Sequence, residues 1–209
     1  AHILGNTVEE IALDKSCAIH KNSTCFSIKQ TNMVKNILIQ KAIDMSASLT
    51  FTEHQNNKVY KSNLLGSHQI ENTQLAIAAA KHIIDIKEDT IERGLNNVQW
   101  KGRMELLCSE PNVYFDVAHN DDSITAFCDT IDSLNHRGDK TLIISVQKSK
   151  LIEKSIKQLE QLFSKIIITQ LNNRMYTSSD LASMFLSQSK IEIIDDSNLA
   201  IKSGFKNSK

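Results

Sequence analysis

An aspartate and a histidine three residues apart, in Asp116-Val-Ala-His119, follow the apolar run Val113-Tyr-Phe. A carboxylate and an imidazole at the end of a strand can hold a metal, orient a phosphate or position an amine, and strand-end loops are where such groups are presented. The plainer alternative is a polar turn in which Asp121 or Asp122 caps the next helix. Arg103 follows Gly102 in Trp100-Lys-Gly-Arg103. Its guanidinium offers a planar fork that grips phosphate, or it makes a surface salt bridge. The glycine beside it permits close backbone approach. Asn72 begins an alanine-rich stretch, where its amide can read an adenine edge or cap the helix. His68 carries the same two readings. Lys15, after a short helical segment, can meet a phosphate or stay solvated.

The elements that must position these groups change character along the chain. Asn6 or Thr7 can cap a short helix whose first turn holds Glu9 and Glu10, a favourable place for acids. Strands are expected at Thr24–Lys29, Ser48–Thr52 and Lys58–Lys61. Helices are expected over Asn32–Met45 and Ile70–Ile84, the second with Ala76, Ala79, Ala80 and Ile83 at helical spacing. Lys87 to Asn97 predicts a short helix and linker, with a domain boundary near Ile86 to Asn97. Strands and helices then alternate: strands at Arg103–Cys108, Val113–Val117, Thr141–Val146, Lys165–Thr169 and Ile191–Ile194, and helices at Ser123–Leu134, Leu151–Phe163 and Ser178–Ser187. Such alternation implies an α/β domain with a largely parallel sheet, whose ligands bind beyond the carboxyl ends of the strands. Asp116 and His119 are expected at such an end. The tail from Asn198 begins a helix and then dissolves, and both ends look cut.

Composition limits the function classes. The 209 residues include 24 basic and 24 acidic side chains, with 41% hydrophobic content, which suits one or two domains with a real core. A net charge of zero argues against nonspecific nucleic-acid binding. No apolar run approaches the roughly 20 residues of a membrane span, and the start lacks a signal peptide's features. Cys17, Cys25, Cys108 and Cys128 form no C-x-x-C pair, so reduced, buried thiols are expected and a zinc site is not. No G-x-x-x-x-G-K-[ST] phosphate loop occurs.

In chain order, Leu4-Gly-Asn-Thr7, Ile11-Ala-Leu-Asp-Lys15, Gly66-Ser-His-Gln-Ile-Glu-Asn72 with Ala76-Ile-Ala-Ala-Ala80, Trp100-Lys-Gly-Arg103 and Asp116-Val-Ala-His-Asn120 resemble the folylpolyglutamate synthase and dihydrofolate synthase family. That family is the folate branch of the Mur-ligase superfamily. The resemblance implies a partial central ATPase domain over residues 1–90, its phosphate-loop half absent, then a Rossmann-like glutamate-ligase domain over 97–209, incomplete at its end. It implies a cytoplasmic, monomeric enzyme using ATP and Mg²⁺, with no nucleic-acid or membrane partner. ATP phosphorylates a folate or dihydropteroate carboxylate, and the amino group of L-glutamate attacks the acyl phosphate. By the same resemblance Lys15 is a carbamylated lysine near Mg²⁺, and Asn72, Arg103 and Asp116 bind the nucleotide. Asp116 and His119 are catalytic, with His119 facing the reaction centre, and domain closure brings Arg103 and Asp116 to the ATP. His2 does not match the family's metal-binding histidine. Several positions depart from the family pattern: Ser16-Cys17 for Ala-Gly, Lys101 for proline, Gln147-Lys-Ser-Lys150 for a glycine turn and Asp-Lys-Asp, and Met175 for alanine after Arg174. The alternatives are a peptidoglycan Mur ligase with a UDP-muramoyl substrate and a non-catalytic remnant. The isolated fragment is expected to be inactive.

Overall fold

The computed structural model describes residues 5, 7–52 and 60–206, and the chain divides into two compact units, Ala1–Gln99 and Trp100–Lys209. The architecture is α/β in both.

The first unit opens with α1 (Val8–Ser16). Thr7 Oγ1 accepts the Glu10 N–H at 3.1 Å and Glu10 Oε2 accepts the Thr7 N–H at 3.3 Å, a reciprocal cap that satisfies two amides at the helix start. Strand β1 (Thr24–Ile28), helix α2 (Asn32–Asp44) and strand β2 (Ser48–Thr52) form one β-α-β passage, with β1 and β2 parallel from Thr24↔Ser48 to Ile28↔Thr52. Helices α3 (His68–Ile83) and α4 (Glu88–Asn97) complete the unit. The expected strand at Lys58–Lys61 lies partly outside the described residues, and Tyr60 and Lys61 are not in a strand. The face of α3 also differs from the alanine pattern. Gln69, Thr73 and Ile77 are buried, while Ala76 and Ile83 are exposed, because a stripe of small residues carries little transfer free energy to choose the buried side. Among the described residues of this unit, Ala12, Ile19, Ala42, Ile77 and Ile91 are the buried apolar side chains.

The second unit begins with an antiparallel hairpin, β3 (Glu105–Ser109) and β4 (Asn112–Phe115), bulged between Leu106 and Cys108. Then come α5 (Asp121–Ser133), β5 (Thr141–Ile144), α6 (Ile156–Leu162), β6 (Lys165–Ile168), α7 (Ser178–Ser183), β7 (Ile191–Ile193) and α8 (Ser197–Lys206). Strands β5, β6 and β7 form a parallel sheet in that order. Its middle strand is apolar on both faces, as a covered parallel strand must be: Ile166, Ile167 and Ile168 have no exposed surface. Ile166 and Ile168 join α5, α6 and α7 in the main core. The opposite face lies under α8, where a Cβ on Gly204 would come within 2.8 Å of Ile143 Cδ1. Only glycine lets this helix sit so close.

Three expectations for this unit need correcting. Strand β4 belongs to the hairpin and not to the parallel sheet, so Asp116 and His119 follow a hairpin strand. Helix α6 starts at Ile156 and not Leu151, because Asp121 Oδ1 holds the Ser155 N–H at 2.9 Å and the Ser155 hydroxyl at 2.7 Å, which fixes the entry turn. Its other end is closed by Lys190, whose Nζ reaches the carbonyls of Glu160 at 2.6 Å and Phe163 at 3.1 Å, a cation on otherwise unpaired acceptors. Finally, the tail does not dissolve at Ser203: α8 continues through Lys206, with Ala200 and Gly204 buried.

Of the four cysteines only Cys128 is buried; Cys17 is exposed, and Cys25 and Cys108 are half-buried. Burial, with a smaller contribution from Asp129, pushes the Cys128 thiol from 9.0 up to about 12. The unfolded thiol ionises first, so this contribution to stability is complete below pH 9.0 and is lost as pH rises toward about 12. At neutral pH a thiol reagent is expected to modify Cys17 in the native protein and Cys128 only after denaturation. Modification of native Cys128 at the rate of Cys17 would contradict its place in the core. Leu159, 1% exposed, sits at the centre of the second unit's core. Leu159→Ala is expected to cost about 2–5 kcal/mol, seen as a lower urea midpoint for that unit.

Candidate functional site

The turn Trp100–Glu105 and the loop Phe115–Asn120 are joined into one piece. Met104 donates its N–H to Asp116 Oδ2 at 2.8 Å, and Ala118 donates its N–H to Asp116 Oδ1 at 2.7 Å. Val117 N–H reaches the Gly102 carbonyl at 3.0 Å, and Gly102 N–H reaches Glu105 Oε2 at 2.8 Å. The chain follows this path only with two residues in the left-handed region, Gly102 at φ 71 and Met104 at φ 47. A Cβ at residue 102 would meet Val117 Cγ1 at 2.7 Å, which is why the position suits glycine. Met104 takes a conformation that is uncommon for a side-chain-bearing residue. Its side chain is buried in the core, and its amide is held by Asp116.

This brings three of the sequence-predicted residues onto one structural unit. Arg103 stands exposed between Gly102 and Met104, and among the described residues its guanidinium has no hydrogen-bond or ion-pair partner. An unpaired, exposed guanidinium on a rigid turn is suited to an anionic ligand. Asp116 is half-buried, and both its oxygens are engaged by backbone. His119 is exposed, with Nδ1 2.9 Å from the Val117 carbonyl. The helix cap is Asn120 and not Asp121 or Asp122. Its backbone is extended (φ −143, ψ 167) and its side chain accepts the Ser123 N–H at 2.9 Å. Asp121, a residue further on, is turned instead to Ser155.

Lys15 and Asn72 belong to the first unit. Lys15 lies in the last turn of α1, exposed and 3.6 Å from Asp14. Asn72 is inside α3 and does not cap it; the cap position is Ser67. Asn72 is exposed, and its Nδ2 donates to Gln69 Oε1 at 3.2 Å. Gln69 is buried and its Nε2 lies 3.0 Å from His68 Nε2, while His68 Nδ1 is buried without a partner among the described residues. The loop Gln147–Lys150 follows β5 and is tied to the loop after β6. Lys148 N–H donates to the Arg174 carbonyl at 3.0 Å, and Tyr176 N–H donates to the Val146 carbonyl at 2.8 Å. Two exposed cations, Lys148 and Arg174, thus stand together beyond the carboxyl ends of parallel strands, where ligands of such sheets bind. Among the described residues no three His, Cys, Asp or Glu side chains converge on a metal position. No described helix is long and apolar enough to cross a membrane.

Sequence reasoning missed Ser123, Glu105 and Met104. The spacing Asn120-x-x-Ser123 was a legible capping signal. The left-handed Met104 had no signal, since nothing in its side chain favours that conformation.

Residues 102–208 match the Mur ligase, glutamate ligase domain. The dihydrofolate synthase/folylpolyglutamate synthase of Bacillus subtilis (strain 168) is 26% identical over 76% of this chain and 43% of its own length. A folylpolyglutamate synthase of Saccharomyces cerevisiae (strain AWRI796) is 30% identical over 91% of this chain and 40% of its own. A crystal structure of Mycobacterium tuberculosis folylpolyglutamate synthase, complexed with ADP and AMPPCP, superposes with a TM-score of 0.87 at 20% identity, covering 98% of this chain and 53% of that one. The chain therefore spans about half the length of the relatives it matches, or less. With the glutamate ligase domain matched over residues 102–208, nearly all of the hairpin-and-sheet unit that carries Arg103, Asp116 and His119, the chain belongs to the Mur ligase family.

Proposed function

We propose that this chain forms part of an ATP-dependent ligase that joins L-glutamate to the carboxylate of a folate or dihydropteroate. The observation that carries this reading is the rigid pairing of Arg103 with His119 through Asp116. It sets an unpaired cation and an exposed imidazole on one locked scaffold within the glutamate ligase domain. The relatives' names support an acceptor of the folate class, and the ADP and AMPPCP complex of the mycobacterial structure supports ATP as the co-substrate.

The proposed reaction has two steps. The γ-phosphoryl group passes from ATP to the acceptor carboxylate, releasing ADP. The glutamate amine then attacks the acyl phosphate carbon, the C–O bond to phosphate breaks, and phosphate leaves as the amide forms. Arg103 binds phosphate oxygens and offsets charge that grows during transfer. His119 takes the proton that the amine sheds. Asp116 holds both in place and is assigned, like Arg103, to the nucleotide. Asn72, at an exposed position on α3, is assigned to the nucleotide base. Mg²⁺ supplies charge neutralisation to ATP when bound. Lys15 is the residue of this chain assigned toward it, as a carbamate. The described residues offer no cluster of metal ligands, so no step is derived through the ion. The enzyme is proposed to be cytoplasmic and monomeric, taking small molecules and neither nucleic acid nor membrane as partners.

The test is glutamate ligation by the complete enzyme that contains this sequence. Arg103→Ala is expected to lower kcat by on the order of 100-fold or more, with the fold retained. Unchanged turnover would remove Arg103 from the mechanism, and absence of folate-dependent ligation by the unmodified enzyme would remove the reading. Asp116→Ala is expected to destabilise the second unit by about 1–3 kcal/mol, because it leaves two amides without their acceptor. Amide exchange at Met104 and Ala118 is expected to accelerate first, and protection that stays at the native level would show that the clamp is not what orders the site.

A further inference from the structure

We propose that His119 is held as its Nδ1–H tautomer, leaving the lone pair on Nε2, and that Ser123 is the positioning residue that holds it so. The ring's Nδ1 lies 2.9 Å from the Val117 carbonyl oxygen. A carbonyl only accepts, so the hydrogen in this bond belongs to Nδ1. In a neutral imidazole one nitrogen donates and the other accepts, and the bond made at one nitrogen decides which. Nε2 is therefore the atom left able to take a proton. Among the described residues the ring makes no other hydrogen bond.

The ring reaches back only two residues, so this bond survives only if the backbone between Val117 and Asn120 keeps its shape. Ser123 supplies that constraint. Its Oγ accepts the N–H of His119 at 3.0 Å and of Asn120 at 3.1 Å, and its hydroxyl donates to the Asn120 carbonyl at 3.0 Å. Two lone pairs and one hydrogen are all a serine hydroxyl has, and here all three are spent on the two residues that carry and follow the imidazole. Ser123 N–H in turn binds Asn120 Oδ1 at 2.9 Å. The hydroxyl sits on the first turn of α5, next to Ile124, which is buried in the core. The order of dependence runs from core to α5, to Ser123, to the His119 backbone, to the ring. The work assigned to Nε2, accepting the amine's proton, rests on the function proposed above; the tautomer and its dependence on Ser123 are properties of this chain alone.

The test uses the 209-residue chain with ¹⁵N-labelled histidines, its rings neutral, read by long-range ¹H–¹⁵N NMR. The His119 signals are assigned by their loss in His119→Gln. The native protein is expected to show Nδ1 protonated and Nε2 bare. Ser123→Ala is expected to shift His119 toward the Nε2–H form that a solvated ring favours, while the other six of the seven histidines keep their signals. Ser123→Thr, which restores a hydroxyl, is expected to restore the native tautomer. Nε2–H as the main form in the native chain would overturn the assignment. A native tautomer in a folded Ser123→Ala chain would reduce Ser123 to a helix cap. Should Ser123→Ala perturb every histidine, the threonine variant decides: the native tautomer there supports the proposal, and its loss in an otherwise native spectrum overturns it. Because this readout needs no turnover, a wrong acceptor class would leave it untouched.

Discussion

The carboxylate of Asp116 accepts one amide from the turn that carries Arg103 and another from the loop that carries His119. The hairpin and the Val117–Gly102 bond bring the two segments together, and the carboxylate, reaching 12 residues back to Met104, removes backbone freedom that would oppose a fixed spacing of a cation and an imidazole. The carboxylate is well suited to this task. A carboxylate makes stronger hydrogen bonds than a neutral acceptor, and its two oxygens point to two different segments. It also stabilises a left-handed Met104, a conformation that costs on the order of 1–3 kcal/mol and survives only where its surroundings over-determine it.

The rest of the second unit gives that clamp something firm to rest on. Met104 and Ala118 both reach the core formed by β6 with α5, α6 and α7, so the clamp is anchored at both ends in close-packed side chains. Helix α5 is anchored twice at its start, by the Asn120–Ser123 cap and by Asp121 on Ser155. Among the described residues the first unit is built more lightly: two parallel strands and few buried apolar side chains supply less transfer free energy, and Val8, Leu13, Ile43 and Ile83 are exposed. Local order there depends more on caps and surface pairs, such as Lys81 with Glu88.

Much of this was legible in the residue pattern. Ile124, Phe127, Ile131 and Leu134 recur at helical spacing because α5 lays that stripe on the core, and they do pack there. The Lys165–Thr169 strand was readable because a covered parallel strand is apolar on both faces. The short helix after Thr7 was readable from its cap. The buried side of α3 was not, since several alanines compete weakly for the interior and Gln69 and Thr73 took it. Neither was the placement of β4 in a hairpin, because an apolar run of that length serves a parallel or an antiparallel partner equally well.

The groups available for chemistry, the alternation of elements that carries them and the family to which they belong could all be read from local residue types and their order. What each group does with its hydrogen bonds emerged with the folded arrangement. It turned Asp116 into a clamp, gave the helix cap to Asn120 and not to its acidic neighbours, put Met104 in the left-handed region, and set the His119 ring on the Val117 carbonyl. These outcomes depend on which donors and acceptors distant segments bring within about 3 Å of one another, and a local pattern carries no record of that distance.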